Sequence, residues 1–177
     1  MLEIEAKVWL DKKGVSYEDI LKILKENYEF VTKKEKSDWY FKKHNQEKSE
    51  FRVRESNRKY IVTYKNHKMD NGIESNEEIE FKVDSKKSFF SFMRNLGYEI
   101  FAEKRKKTYE FKKGDYVFEL NNVDKLGWFL EIEKICKKEI CDLKNEKKLL
   151  EEAFSNFGFT CDDFERKRYL EILNKNI

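Results

Sequence analysis

The chain has 177 residues, 41% of them charged, yet its formal net charge is only +3 because acidic and basic residues nearly cancel. This length suits one well-cored domain, and no stretch rich in Pro, Gly or Ser divides it, so we predict a single domain over residues 1–177. So small a net charge argues against a nucleic-acid partner, and the absence of a leader or a spanning apolar segment predicts a cytoplasmic protein without membrane contact.

The first predicted strand, residues 2–10, alternates charged and apolar side chains. Successive side chains of a strand point to opposite faces, so Glu3, Glu5 and Lys7 share one face, with about 7 Å between neighbours. Two carboxylates and an ammonium in a row suit a metal ion bound beside an anion.

The remaining elements follow from periodicity and from turn residues. Ser16 can cap a helix over about 17–28, and Ser85 opens a second helix that Gly97 is placed to end. Further strands are predicted near 31–45, 50–56, 59–66, 76–84, 98–112, 115–124 and 127–137. Two C-terminal helices are predicted over about 142–156 and 163–173. The short turns between the strands favour antiparallel pairing.

The alternation of the first strand recurs in most of the others. Polar residues two positions apart are Arg52 and Arg54, Thr63 and Lys65, Glu78 and Glu80, Lys104 and Lys106, Glu119 and Asn121, and Glu131 and Glu133. One alternative is that these residues form the solvated face of an ordinary antiparallel sheet. However, the acids and bases are sorted onto separate strands, which indicates an acidic zone and a basic zone of one cavity.

Strand runs broken by amphipathic helices predict an α+β fold. About eight strands are enough to close an antiparallel barrel, and closure removes exposed sheet edges. Helices packed outside would cover apolar side chains, namely Ile4, Val8, Val53, Ile79, Phe81 and Ile132. The charged face would then line a tunnel, where buried ions need partners, metal or an anionic ligand.

The two histidines, His44 and His67, lie in polar, loop-like sequence, so we expect both to be exposed. They are too few for a histidine-based metal site.

Several of these motifs, in this order, resemble those of one known family. Residues 3–7, Glu-Ile-Glu-Ala-Lys, are similar to its N-terminal ExExK signature, and residues 51–54 and 62–65 resemble its L-R-x-R and L-T-x-K strands. Further similarity lies at residues 38–41, 78–80, 103–106, 121–133 and 168–173. The chain therefore resembles the CYTH family, or triphosphate tunnel metalloenzymes. It departs from the family pattern at Asn121, where Asp is common, and at Lys106, where Arg is usual; Ser75-Asn76-Glu77 replaces a frequent Arg.

The resemblance implies a triphosphate bound in the tunnel together with Mg²⁺ or Mn²⁺. The metal candidates it implies are Glu3, Glu5, Glu78, Glu80, Glu131 and Glu133. The phosphate candidates are Lys7, Arg52, Arg54, Lys65, Lys104 and Lys106, and Lys7 is also the candidate catalytic residue. The small-molecule partner would be ATP, thiamine triphosphate or inorganic triphosphate, and a homodimer is left open.

The family contains class IV adenylyl cyclases, thiamine triphosphatases and inorganic triphosphatases, so the resemblance implies more than one reaction. Chain length and the ending at residues 169–173 favour a cyclase that converts ATP to cyclic AMP and pyrophosphate. A triphosphatase is the alternative, and a non-catalytic binder of triphosphate or polyphosphate is consistent with Asn121 and Lys106. An inert interaction domain with a wet sheet face is the third hypothesis.

Overall fold

The computed structural model describes residues 2–137 and 141–173. Its strands are β1 (Leu2–Trp9), β2 (Glu29–Lys43), β3 (Phe51–Ser56), β4 (Lys59–Asp70), β5 (Ile73–Val83), β6 (Tyr98–Lys113), β7 (Tyr116–Val123) and β8 (Gly127–Cys136). They form a closed antiparallel barrel in the order β1-β5-β4-β3-β2-β6-β7-β8. The predicted α+β fold with an eight-stranded barrel is therefore confirmed.

Within residues 2–137 and 141–173, five α-helices accompany the barrel, and α2 and α3 begin at the predicted capping residues. They are α1 (Leu10–Lys13), α2 (Tyr17–Asn27), α3 (Lys86–Asn95), α4 (Leu143–Ser155) and α5 (Tyr169–Leu173). The Ser16 hydroxyl accepts a hydrogen bond from the Glu18 N–H at the start of α2, and Ser85 accepts one from Ser88 at the start of α3. None of the described helices is both long and apolar enough to cross a membrane.

The apolar core lies between the outer barrel surface and the helices. Ile4, Val8, Val53 and Ile132 are buried there, as predicted. Ile79 and Phe81, however, are 65% and 52% exposed, so the prediction that helices cover them is wrong. The aromatic residues of α3 pack mainly over the outward side chains of β2, β3 and β4, including Trp39 and Phe41, and only the ring edge of Phe89 meets Phe81.

The hairpin of β4 and β5 extends further than the sequence predicts. The sequence predicts strands over 59–66 and 76–84, with turn residues at Asp70-Asn71-Gly72 between them. In the structure the pairing continues to Asp70 and Ile73 across a two-residue turn. Asn71 and Gly72 have φ values of 52° and 88°, as a type I′ turn requires.

The predicted helix over 163–173 is wrong in its first half. Phe164 forms an antiparallel bridge with Val8, and the Glu165 N–H donates to the Lys7 carbonyl at 2.8 Å. Strand β5 begins at Ile73, opposite Ala6, so the backbone of β1 beyond Ala6 has no β5 partner on that side. The chain around Phe164 supplies the missing partner, since buried backbone groups must be paired.

Candidate active site in the barrel interior

The barrel encloses a cavity of about 680 Å³ that is lined mainly by charged side chains. Glu5 of β1 faces Glu74 on one neighbouring strand and Glu133 on the other, and Lys7 faces Glu131. This register directs the predicted polar face of β1 inward. All twelve residues predicted to bind metal or phosphate line the cavity, so the prediction of a charged tunnel interior is confirmed.

An acidic cluster at one side of the cavity is formed by Glu3, Glu5 and Glu133, whose carboxylate oxygens can come within 4.8 Å of one another. Burial raises the pKa of Glu5 to about 8, and burial together with neighbouring acids holds the pKa of Glu133 well above its usual value. These carboxylates therefore lack sufficient positive charge around them. Oxygen ligands of this kind suit Mg²⁺ or Mn²⁺, so the residues fit the metal that the resemblance implies.

Lys65 is the cation that lies among these acids. Its Nζ is 2.6 Å from Glu3 Oε1 and 3.6 Å from Glu5 Oε1, and it also contacts Glu78. Of the other metal candidates, Glu80 accepts a hydrogen bond from Thr63 at 2.7 Å. Lys65 thus partly neutralises the acidic cluster, and Glu78 belongs to the cluster through this lysine.

A basic cluster surrounds Asp38, whose side chain is completely buried. Arg54 donates two hydrogen bonds to its carboxylate, at 2.7 and 2.9 Å, while Lys104 Nζ lies at 3.0 Å and Arg52 at 3.9 Å. Burial alone would raise the pKa of Asp38, but these three cations outweigh it and hold the pKa well below its usual value. One carboxylate thus fixes three cations, which leaves a surplus of positive charge for an anion.

Glu119 organises a second group of cations. It contacts Lys36 and lies 2.9 Å from Lys106 Nζ, which is also 3.2 Å from Glu131. The Asn121 amide donates to Glu131 at 2.7 Å. Glu131, a predicted metal ligand, is therefore paired with Lys106 and the Asn121 amide.

Lys7 is buried and forms an ion pair with Glu74 at 2.8 Å. Burial acts to lower the pKa of Lys7, but Glu74, Glu131 and Glu5 outweigh it and raise the pKa. The ring of Tyr169 in α5 lies near Lys7, and its hydroxyl donates to Glu131 at 3.5 Å. The C-terminal segment thus contributes to the cavity wall beside the lysine.

The structure revises two sequence interpretations. The predicted acidic and basic zones are not made of strands with a single sign of charge, because each zone contains counter-ions. The zones differ only in which sign of charge is in surplus. Both histidines are exposed, as expected, but His67 lies in β4 rather than in a loop, and it also lines the cavity.

Sequence reasoning also missed Lys36 and Glu74 and gave Asp38 and Glu119 no role. The spacing of Lys34, Lys36, Asp38 and Tyr40 along β2 contained the signal for two of these residues, since all four line one face. No such signal was available for Glu74. Because polar residues lie on both faces of the hairpin, the sequence does not show which face points inward.

Comparison with known proteins gives consistent matches over most of the chain. A family model described as the CYTH domain matches residues 1–166. A protein of Methanocaldococcus jannaschii named "Putative adenylate cyclase" is 32% identical over 97% of this chain and 98% of its own length.

Solved structures show the same fold. A protein from Pyrococcus horikoshii superposes with a TM-score of 0.81 at 29% identity, covering 96% of this chain and 98% of that protein. A Vibrio parahaemolyticus protein, also named a putative adenylate cyclase, has a TM-score of 0.83 at 21% identity, with 98% of each chain covered. At that identity the second match concerns the fold alone.

Proposed function

Because the chain belongs to the CYTH domain family, we propose that it is a metal-dependent enzyme that acts on a triphosphate inside its barrel. The favoured reaction is the conversion of ATP to cyclic AMP and pyrophosphate. The observation that carries this proposal is the division of surplus charge within one cavity. A surplus of carboxylate lies around Lys65, and a surplus of cations lies around Asp38 and Glu119.

The acidic cluster would hold the metal. Glu3, Glu5 and Glu133 supply the ligand oxygens, and Glu78 is close enough through Lys65 to join them. When bound, Mg²⁺ or Mn²⁺ neutralises charge on the phosphate oxygens. The raised pKa of Glu5 supports this assignment, since a divalent cation favours the charged form of the carboxylate.

The basic cluster would bind and orient the phosphates. Arg52, Arg54 and Lys104 converge on Asp38, and the unused N–H groups of two guanidinium ions can form paired hydrogen bonds to phosphate oxygens. Lys106 and Lys7 extend the positive charge along the wall. Such fixed cations stabilise charge that develops on a departing phosphate, and this effect dominates phosphoryl-transfer catalysis.

The choice between cyclase and triphosphatase depends on which phosphorus atom meets an in-line nucleophile. Attack of the ribose 3′-hydroxyl on the α-phosphorus releases pyrophosphate, whereas attack of water on the terminal phosphorus releases orthophosphate. The name of the M. jannaschii relative favours the first reaction.

A product assay tests the proposal. The protein is incubated with ATP, GTP, thiamine triphosphate or inorganic triphosphate, each with Mg²⁺ and with Mn²⁺. We expect cyclic AMP and pyrophosphate from ATP, and ADP with orthophosphate as the only products would reject the cyclase reaction. Tight binding without turnover of any substrate would instead establish a non-catalytic binder.

Matched variants connect the assay to the cavity. Glu5→Gln and Arg54→Gln remove one charge from each cluster and should abolish turnover. Glu35→Gln is the control, because Glu35 pairs with Lys107 on the outside of the barrel and its side chain is 78% exposed. Triphosphate binding unaffected by both cavity variants would refute the site.

A further inference from the structure

His67 is a cavity residue that takes no part in the acidic and basic clusters. Its ring lies at the cavity wall, and its side chain is 33% exposed. Nδ1 is 2.9 Å from Asn76 Oδ1 and 3.4 Å from Glu74 Oε2. The other oxygen of Glu74 pairs with Lys7, so His67 is joined to the phosphate-binding wall through a single carboxylate.

These contacts determine which ring nitrogen carries the proton in neutral His67. The amide nitrogen of Asn76 donates to Glu5 at 3.0 Å, so its oxygen faces the imidazole. Both groups opposite Nδ1 are therefore acceptors, and Nδ1 must be the N–H donor. Among the described residues, both polar contacts of the ring are made through Nδ1. The lone pair of Nε2 is thus available to a molecule in the cavity.

A histidine whose Nδ1–H is held by an acceptor, here Asn76 Oδ1 with the Glu74 carboxylate beside it, is suited to accept a proton at Nε2, because the partner fixes the tautomer. The neighbouring groups are less suited. Lys7 retains its proton, since the surrounding acids raise its pKa. The carboxylate of Glu74 already accepts from Lys7, and although burial acts to raise its pKa, His67 and Lys7 outweigh it and lower it.

Several charged groups line the cavity together with His67. They include Lys65 of β4, Glu74 of β5, Glu5 and Lys7 of β1, and Arg168 and Glu171 of the C-terminal segment. The nearest is the Glu74 carboxylate, at 3.4 Å from Nδ1. Partial exposure of the ring gives the proton a route to solvent.

We propose that His67 is the general base of the reaction in the barrel, a role that rests on the proposed function. The oxygen of the attacking ribose hydroxyl or water forms a bond to phosphorus, and its proton passes to Nε2. The bridging P–O bond breaks, and its electron pair leaves with the departing phosphate or pyrophosphate. The imidazolium then releases the proton to solvent at the cavity mouth.

The test uses His67→Asn, because the Asn amide nitrogen can occupy about the position of Nδ1 and still donate to Asn76 Oδ1, whereas Nε2 is lost. We expect kcat to fall about 100-fold or more, with binding of triphosphate and Mn²⁺ nearly unchanged. The acidic limb of the wild-type pH–kcat profile should disappear, and added imidazole should restore part of the activity. His44→Asn is the matched control, because His44 also pairs with a glutamate but is 77% exposed.

Two results would overturn the assignment. One is a His67→Asn variant with the wild-type kcat. The other is a loss of kcat that parallels weaker triphosphate binding and leaves the shape of the pH profile intact, which would indicate a structural role. If the wild-type protein turns over none of the substrates, the proposed function itself fails; wild-type turnover with an unaffected variant rejects only His67.

Discussion

Replacing Asp38 with Asn tests whether the basic cluster is built around this carboxylate. The change keeps the size of the side chain but removes its charge from a completely buried position that three cations share. Removing one partner from a buried ion pair costs about 3–5 kcal/mol, because the remaining charge is left uncompensated. For a chain of this length each kcal/mol lowers Tm by about 2–4 °C, so we expect a decrease of roughly 6–20 °C.

Calorimetric unfolding with and without inorganic triphosphate and Mn²⁺ provides the assay. In the variant, a bound polyanion would replace the missing negative charge, so triphosphate should raise Tm by more than it does in the wild-type protein. Glu35→Gln, which breaks an exposed pair, should leave Tm nearly unchanged. The reasoning is refuted if Asp38→Asn behaves like this control, or if triphosphate stabilises the variant no more than the wild type.

Three further predictions concern the acidic cluster and the β7–β8 corner. Burial raises the pKa of Glu5 from 4.5 to about 8, so the folded metal-free protein favours the protonated carboxyl. The stability that this contributes is complete below about pH 4.5 and is lost as the pH rises through about 8. Glu5→Gln should flatten this decline in urea unfolding between about pH 5 and 9, and an unchanged slope would contradict the assignment. Lys65→Met removes an ammonium that competes with Mn²⁺ for three carboxylates. Calorimetry without triphosphate should therefore show Mn²⁺ binding roughly tenfold tighter, and weaker binding would disprove this competition. Gly127 has a φ of 91°, and a Cβ there would lie 1.8 Å from Asp11 Oδ2. Gly127→Ala should therefore lower the free energy of unfolding, measured by chemical denaturation, by about 2–4 kcal/mol. Gly114→Ala should cost clearly less, because a Cβ at Gly114 meets no atom within 4 Å.

The ion pairs explain how so many charges are tolerated inside the barrel. Two deeply buried acids of the basic side, Asp38 and Glu119, each have at least two cationic neighbours. Glu3, Glu5 and Glu78 outnumber Lys65, the cation between them, and burial raises the pKa values of Glu3, Glu5 and the neighbouring Glu133. Without ligands, the basic side therefore has surplus positive charge, and the acidic side has surplus carboxylates. A polyanion is expected to stabilise the first and a metal ion the second.

The sequence by itself determined the inward face of β1 and the antiparallel pairing of strands that short turns join. Strict alternation around Glu5 assigns side chains to faces, since a strand has a period of two, and a short turn can join only antiparallel neighbours. Both properties are local, so they can be recognised without knowing which strands pair.

Only the tertiary structure decided which charges meet. Lys7 and Glu74 are 67 positions apart, and their pairing depends on the register between β1 and β5, which no local pattern specifies. The same holds for His67, placed in the cavity by a hairpin extension, and for Phe164, which is extended because β1 lacks a partner beyond Ala6. Coulombic and hydrogen-bond partners are chosen by distance in space, and closure of the barrel fixes those distances.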